Sequence, residues 1–190
     1  MKIISLIGRP GCGKGTQIKR LIEKTGWEAI KTGELLRERA TEDDFIGKKL
    51  DKSLSEGRLI PTPVVFNIWM PKIIKIREKG SAEGIIFDGN PRKFYEAKML
   101  DEVFNLFEWS EHFMPIYIDI SEEEAKERLL ERGRADDNKE EIKRRLEWFE
   151  SDVLPVLEYY REKGILIEID GERPIEEVKE DIFKVLNLDD

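Results

Sequence analysis

Five short apolar runs, separated by longer segments with helical periodicity, constrain the fold of this chain more than any other feature. They occupy residues 2–7, 27–31, 84–88, 114–120 and 165–169. Several of them, such as Ile85-Ile86-Phe87, lack an alternation of polar and apolar residues, which is typical of strands covered by helices on both faces. Strands that alternate with helices predict a parallel sheet. We therefore expect an α/β fold in which a five-stranded parallel sheet is flanked by helices.

The clearest predicted helix covers residues 139–163. Its apolar residues recur at three- and four-residue steps, as expected for one buried face: Ile142, Leu146, Phe149, Val153, Val156 and Tyr160. Gly164 follows as a stop signal. Pro155 lies inside the pattern and predicts a bend there.

Length, charge and cysteine content exclude several classes of function. The 190 residues are about enough for one domain with a full core. One cysteine, Cys12, and one histidine, His112, argue against an internal disulfide and against structural zinc. A net charge of -8 argues against nucleic acid or an anionic membrane as a partner. The first apolar run, 3–7, is too short for a signal peptide or a membrane span, so we expect a cytoplasmic protein, monomeric by default.

A glycine-rich stretch, GRPGCGKGTQ at 8–17, stands between the first predicted strand and a predicted helix. In that context a G-x-x-x-x-G-K string predicts a phosphate cradle, because its backbone N–H groups and the helix N-terminus point at the anion. Lys14 supplies a cation for the outer phosphates of a nucleoside triphosphate. The Ser or Thr that usually follows this lysine and binds magnesium is Gly15 here, with Thr16 one place later. We therefore expect the ion to be held mainly by phosphates and water.

A second phosphate-site signal is the acid that ends the third apolar run. Asp88 stands at the carboxyl end of the predicted strand 84–88. Beside a phosphate loop, a carboxylate at this place is expected to hold the water shell of Mg²⁺. The two features together predict a site for a magnesium nucleotide, with Asp88 as the metal residue acting through water.

Five motifs in register carry a resemblance to a known family. They are GRPGCGKGTQ (8–17), TGELLRE (32–38), EGRLIP (56–61), FDGNPR (87–92) and GRADDN (133–138). In order and spacing the chain resembles the adenylate kinase family of nucleoside monophosphate kinases, over nearly its whole length. The resemblance implies the three-layer fold of P-loop NTPases and one kinase domain over 1–190. That domain would comprise a core (1–31, 62–131 and 139–190), a monophosphate-binding flap (32–61) and a minimal lid turn (132–138).

The resemblance also implies the two nucleotide sites. The ATP-binding positions are matched by Gly11, Cys12, Gly13, Lys14, Gly15, Thr16, Arg128, Arg132 and Arg173. The AMP-binding positions are matched by Thr32, Gly33, Arg37, Arg58, Leu59, Ile60, Gly89, Asn90, Pro91, Arg92, Glu96, Arg134 and Arg145. The catalytic cations are matched by Lys14, Arg92, Arg132, Arg134 and Arg145, with Asp136 and Asp137 orienting the arginines.

This set of residues implies reversible transfer of the terminal phosphoryl group of MgATP to AMP. The attacking oxygen belongs to the acceptor phosphate, whose second pKa is about 6, so no general base is needed. Catalysis then consists of positioning and of neutralising two polyanions with arginines, Lys14 and Mg²⁺. The flap over 32–61 is expected to close and exclude water.

Two departures from the family pattern concern the lid and the acceptor base. Only five residues separate Arg132 from Asn138, so the lid is scarcely more than a turn. Glu96 stands where the family often has a glutamine that pairs with adenine. An ionised glutamate only accepts hydrogen bonds, whereas glutamine also donates one. Glu96 therefore predicts looser discrimination among monophosphates, unless burial keeps it protonated or it does not touch the base.

Three other functions stay open at this point. A regulatory GTPase would share the loop and Asp88, but the chain has no N-K-x-D string that reads guanine. A non-catalytic nucleotide-binding module fits a shortened lid, although the retained cations argue against it. A kinase of the same fold acting on GMP, CMP, UMP or another small acceptor is the closest alternative, because the phosphate loop alone does not define the acceptor.

Overall fold

The computed structural model describes residues 1–133 and 138–188. The strands are β1 (Lys2–Ile7), β2 (Glu28–Lys31), β3 (Gly84–Asp88), β4 (Phe113–Asp119) and β5 (Ile167–Asp170). The helices are α1 (Lys14–Thr25), α2 (Thr32–Ala40), α3 (Phe45–Ser55), α4 (Thr62–Lys79), α5 (Phe94–Leu106), α6 (Glu122–Arg132), α7 (Lys139–Trp148), α8 (Leu154–Glu162) and α9 (Ile175–Val185). A short 3₁₀ helix (Ser110–His112) precedes β4, and a π-helical segment (Phe149–Val153) joins α7 to α8.

The five strands form one sheet in the order β2-β3-β1-β4-β5, with every neighbouring pair parallel. The predicted five-stranded parallel sheet is therefore confirmed. Because β1 is central and its neighbours are β3 and β4, the chain segments that follow β1 and β3 leave the same edge of the sheet side by side. This topology brings the glycine-rich loop next to Asp88 and the turn that follows it.

Helices cover both faces of the sheet and make three layers. On one face, Ile3 and Phe87 pack with residues of α2, α3, α4, α5 and α8 in one buried cluster. On the other face, Ile4 and Ile86 pack with residues of α1, α6, α7 and α9 in a second cluster. Burial on both faces explains why the strands carry apolar runs without alternation.

Three predicted strands differ from the structure at their starts. The fifth strand begins at Ile167, not at residue 165, because the backbone N–H groups of Ile165 and Leu166 both donate to the carbonyl of Tyr160 at 3.2 Å. Those two residues thus complete the end of α8, beyond Gly164 with its positive φ of 70°. The fourth strand runs over Phe113–Asp119, one residue earlier than predicted, and the second strand begins at Glu28, one residue later than predicted.

The predicted helix over 139–163 is present, but its bend takes a specific form. Instead of one bent α-helix, the π-helical segment Phe149–Val153 interrupts it, and the backbone N–H of Leu154 donates to the carbonyl of Phe149. Pro155 has no N–H to donate, so the hydrogen-bond ladder must change register near it. In the part of the chain that the structure describes, no helix combines the length and apolar character needed to cross a bilayer.

Candidate active site

The glycine-rich loop between β1 and α1 is shaped by backbone geometry that requires glycine. Gly13 caps helix α1 with a φ of 89°, and its carbonyl accepts from the N–H groups of Thr16 at 3.0 Å and Gln17 at 3.2 Å. Gly11 also has a positive φ of 90°, and a Cβ there would lie 2.9 Å from the carbonyl oxygen of Ala125 in α6. The loop is therefore wrapped closely against α6 and opens toward the start of α1, as a phosphate cradle requires.

The ammonium group of Lys14 lies between the loop carbonyls and the cleft. Nζ donates to the carbonyl of Gly8 at 2.5 Å and to that of Arg9 at 3.1 Å, and it lies 3.3 Å from the Sγ atom of Cys12. Cys12 itself is buried. The cation is thus fixed by loop carbonyls at the border of the neighbouring cleft.

A cleft of about 1720 Å³ extends from this loop to the segment after β3 and the flap helices. It exceeds the usual volume of a single small-molecule site, about 300–1,000 Å³, so its size suits two nucleotides. The predicted site residues that line it are Gly11, Cys12, Gly13, Lys14, Gly15, Thr16, Arg37, Arg58, Leu59, Asp88, Gly89, Pro91, Arg92, Arg128, Arg132, Arg145 and Arg173. Residues predicted for the donor and for the acceptor therefore border one continuous space.

Lys14 and Arg92 approach each other across Gly89. A Cβ placed on Gly89 would lie 3.4 Å from the Nη2 atom of Arg92 and 3.8 Å from the Cε atom of Lys14. The Nε atom of Arg92 donates to the carbonyl of Gly89 at 2.8 Å, which orients the guanidinium. One cation from the predicted donor loop and one from the predicted acceptor side thus lie beside the same residue, Gly89.

Arg92 belongs to a group of three guanidiniums. Burial lowers the pKa of Arg92 from its ordinary value, the negative charges of Glu96 and Asp88 oppose that change, and the positive charges of Arg145 and Arg37 add to it. Arginine nevertheless stays charged in proteins. Arg37, Arg92 and Arg145 all line the same cleft, and guanidiniums bind phosphate oxygens in bidentate fashion, which makes this end of the cleft a candidate for phosphate binding.

Two predicted donor-side arginines are anchored by carboxylates and a carbonyl. The Nε atom of Arg128 donates to Glu124 at 2.6 Å, and its Nη1 atom donates to the carbonyl of Gly171 at 3.0 Å. Arg173 forms ion pairs with Asp170, Glu177 and Asp181. Both arginines border the cleft with their guanidiniums already oriented by these partners.

Five predicted acceptor residues do not line the cleft: Thr32, Gly33, Ile60, Asn90 and Glu96. The buried hydroxyl of Thr32 accepts from the Nε1 atom of Trp69 at 2.7 Å. Ile60 packs in the core cluster under α3 and α4. Arg134, Asp136 and Asp137 lie outside the described residues, as does most of the predicted lid turn.

Glu96 occupies a buried position beneath the turn that carries Arg92. The side chain is 2% exposed, and Oε2 accepts from the backbone N–H of Arg92 at 2.7 Å and from the Nδ2 atom of Asn90 at 3.4 Å. Burial raises the pKa of this carboxyl, and the hydrogen bond from Arg92 opposes that shift. The placement favours a role in holding the turn over direct contact with a nucleotide base.

Asp88 and Thr16 offer oxygen ligands on the edge of the cleft nearest the loop. A carboxylate and a hydroxyl are the ligand types that Mg²⁺ accepts, usually with several waters retained. The residues present therefore fit a magnesium ion carried by a nucleotide. Among residues 1–133 and 138–188, no three His, Cys, Asp or Glu side chains are grouped closely enough to bind a metal by themselves.

Sequence reasoning missed two residues near the site, Trp148 and Arg9. Trp148 lines the cleft, and the guanidinium of Arg92 lies 5.7 Å from its ring centroid. Its helical spacing of three from Arg145 places both on one face of α7, a signal that the sequence does contain. Arg9 contacts residues more than 100 positions away, such as Tyr117 and Glu150, and no local pattern indicates those partners.

Comparison with known proteins agrees with this geometry. The adenylate kinase family model matches residues 6–165. The adenylate kinase of Leptospira biflexa is 36% identical over 188 residues, which cover 97% of this chain and 99% of that protein. Adenylate kinase isoenzyme 1 of Caenorhabditis elegans is 35% identical, with 98% of this chain and 87% of the relative covered. UMP-CMP kinase 1 of Oryza sativa subsp. japonica is 34% identical, with 97% and 75% covered.

The matched motifs, the parallel sheet and the cleft lined by loop glycines and arginines all agree with these similarities. The chain therefore belongs to the adenylate kinase family and is a nucleoside monophosphate kinase, a phosphotransferase.

Proposed function

We propose that this kinase transfers the terminal phosphoryl group of MgATP reversibly to AMP, forming two ADP. The observation that carries the proposal is the approach of Lys14 and Arg92 at Gly89, where a Cβ would contact both side chains. The transferred group would lie between a donor-loop cation and an acceptor-side cation. We further propose the cytoplasm as its compartment, a single domain whose flap is 32–61, and a monomer.

Each group of side chains has a separate task in this proposal. Loop residues 11–16 bind the donor phosphates, and Arg128 and Arg173 border the donor nucleotide. Arg37 and Arg92 bind the acceptor phosphate as bidentate forks, a geometry that guanidinium supports better than ammonium. Arg132 and Arg145, together with Arg134, neutralise the charge that spreads over the transferred group.

No side chain has to remove a proton in this reaction. The acceptor phosphate has a second pKa of about 6, so its attacking oxygen is largely ionised at neutral pH. Asp88 and Thr16 would hold Mg²⁺ through its water shell, and the bound ion would supply further neutralisation of the phosphate charge. Rate enhancement then rests on alignment of the two phosphates and on fixed positive charge.

AMP is favoured as the acceptor by the names of several similar proteins, which are adenylate kinases. The similarity to a UMP-CMP kinase at 34% identity keeps a pyrimidine monophosphate as the second candidate. The acceptor base thus has to be identified by direct comparison of substrates.

A panel of acceptors tests the proposal. MgATP is combined with AMP, GMP, CMP or UMP at equal concentrations, and diphosphate formation is followed by separating the nucleotides. We expect AMP to give the highest kcat/KM, with measurable turnover of at least one other monophosphate. If CMP or UMP exceeds AMP, the acceptor assignment is wrong, and if ATP is merely hydrolysed at one rate in all four mixtures, the transferase function itself is contradicted.

A further inference from the structure

Arg9 lies inside the phosphate loop, but its side chain is turned away from the cleft. Its neighbours Gly8 and Pro10 line the cleft, whereas Arg9 does not. The guanidinium is largely buried, with its side chain 16% exposed. A long cationic side chain held in such a place needs partners that compensate for the water it has lost.

The first set of partners is the carboxyl end of β4. The Nη1 atom of Arg9 donates to the carbonyl of Ile120 at 2.9 Å and to the hydroxyl of Tyr117 at 3.1 Å, and it lies 3.5 Å from Oδ1 of Asp119. Helix α6, which carries Arg128 and Arg132, begins two residues after Ile120. The loop is thereby tied to the strand that leads into this helix.

The second set of partners is the π-helical segment Phe149–Val153. The Nη2 atom of Arg9 donates to Oε1 of Glu150 at 2.7 Å, and the guanidinium lies 4.7 Å from the ring centroid of Phe149. The backbone N–H of Phe149 donates to the carbonyls of Arg145 and Leu146. The contacts of Arg9 therefore fall one helical turn beyond Arg145.

The backbone of Arg9 also takes part in the loop. Its carbonyl accepts from the Nζ atom of Lys14 at 3.1 Å and from the backbone N–H of Cys12 at 3.1 Å. One residue thus contacts the loop lysine through its carbonyl and the helical segment of Arg145 through its side chain.

We infer that Arg9 is a positioning residue for phosphoryl transfer, whose side chain fixes the phosphate loop of Lys14 against the helical segment that carries Arg145. The inference rests on the roles proposed above for those two cations. Arginine suits the task because Nη1 binds the end of β4 and Nη2 binds Glu150 while the planar group packs on Phe149, a combination that the single nitrogen of lysine does not provide. A misplacement of about 1 Å costs on the order of 100-fold in rate. Loss of this connection therefore lowers kcat by a larger factor than it changes the KM of either substrate.

The first test replaces Arg9 by methionine, which keeps the length of the side chain and its packing on Phe149 but removes the fork. We expect kcat to fall at least about tenfold, with KM for ATP and for the acceptor within about threefold of wild type. Rates are divided by the number of ATP-binding sites counted by titration, so that a smaller folded fraction does not imitate the effect. The matched control is Arg161→Met. It removes an ion pair between α8 and β5, Arg161 with Glu168 at 2.9 Å, that does not involve the loop.

A second variant acts at the exposed end of the connection. Glu150 has a side chain 44% exposed, so Glu150→Ala is expected to fold even if Arg9→Met does not. We expect Glu150→Ala to lower kcat about three- to tenfold, again with little change in either KM. The double variant is expected to be no slower than Arg9→Met alone, because the two side chains act as a unit.

Three results would overturn the inference while leaving the kinase function in place: a wild-type kcat in Arg9→Met, an equal loss in Arg161→Met, or independent effects of Arg9→Met and Glu150→Ala that multiply. Failure of the wild-type protein to transfer a phosphoryl group to any monophosphate would instead contradict the proposed function and the inference together.

Discussion

The backbone N–H of Arg92 donates to the Oε2 atom of Glu96 at 2.7 Å, so a buried carboxylate holds the residue that carries the predicted acceptor-phosphate fork. The Nδ2 atom of Asn90 approaches the same oxygen at 3.4 Å, while the buried Oδ1 atom of Asn90 has no hydrogen-bond partner among the described residues. A carboxylate at this place therefore satisfies two donors and leaves one acceptor unsatisfied. This arrangement gives predictions for both stability and specificity.

Glu96→Gln is expected to stabilise the protein at neutral pH. The folded state raises the pKa of Glu96 above the ordinary value of 4.5, so the native protein holds its proton more tightly than the unfolded chain. Stability from this group is then greatest below about pH 4.5 and falls as pH rises through the folded pKa. Glutamine avoids that loss and can also donate to the Oδ1 atom of Asn90.

Thermal unfolding at several pH values measures this effect. We expect the Tm of Glu96→Gln to exceed that of wild type at pH 7.5, with the difference shrinking toward pH 4.5. Glu102→Gln, which changes an exposed glutamate on the same helix α5, serves as the control and should show little change. A lower Tm of Glu96→Gln at pH 7.5 would contradict the raised pKa of Glu96 in the folded protein.

The same variant distinguishes anchoring from base reading. If Glu96 only holds the turn, Glu96→Gln leaves the ratios of kcat/KM for AMP, GMP, CMP and UMP within about twofold of wild type, a change below 0.5 kcal/mol. If Glu96 reads the base, as the sequence pattern predicts, glutamine sharpens the preference for AMP because it both donates and accepts. The buried placement of Glu96 leads us to expect unchanged ratios, and a rise of tenfold or more in AMP preference would support base reading instead.

Lys14→Ala is expected to lower kcat by about 100- to 1,000-fold, the usual cost of removing one charge-stabilising donor. Its ammonium group borders the cleft, where water can replace it as the donor to the carbonyls of Gly8 and Arg9, so the fold should survive the change. Lys72→Ala, at an exposed position on α4, is the matched control. Steady-state kinetics with circular dichroism checks both points, and a near wild-type kcat would remove Lys14 from the mechanism.

Arg92→Lys keeps the charge but removes the fork. The Nε atom of Arg92 is already used by the carbonyl of Gly89, which leaves the two terminal nitrogens for a phosphate. Lysine has no such arrangement, so we expect kcat/KM for the acceptor to fall about 10- to 100-fold, the equivalent of one or two charged hydrogen bonds. Arg77 does not line the cleft and its guanidinium lies 5.7 Å from the ring centroid of Trp109, so Arg77→Lys should leave kcat/KM for the acceptor unchanged. If kcat/KM for the acceptor is the same in Arg92→Lys and in wild type, the guanidinium fork is not required.

Sequence patterns were sufficient for the sheet and for the location of the cleft. The apolar runs and the loop motif depend on local chemistry, because strand burial and helix starts are set by neighbouring residues. They predicted the five parallel strands and the proximity of Lys14 to Asp88 at one edge of the sheet, and both residues border the cleft.

The features that the sequence did not predict depend on contacts between residues far apart in the chain. The start of β5 is delayed because the carbonyl of Tyr160 takes the N–H groups of Ile165 and Leu166. The partners of Arg9 lie on β4 and on the π-helical segment, which only the folded chain brings together. The orientation of Glu96 is likewise a tertiary property, since the helical period alone does not tell whether a side chain faces the cleft or the turn beneath it.

The most direct test of the central claim follows the transferred group itself. ATP labelled in its γ-phosphoryl group is mixed with Mg²⁺, AMP and the protein, and the products are separated. The account predicts that the label appears in ADP as fast as ATP is consumed, and that this transfer is about 100- to 1,000-fold slower in Lys14→Ala. Label that appears in inorganic phosphate at a rate independent of AMP would contradict it.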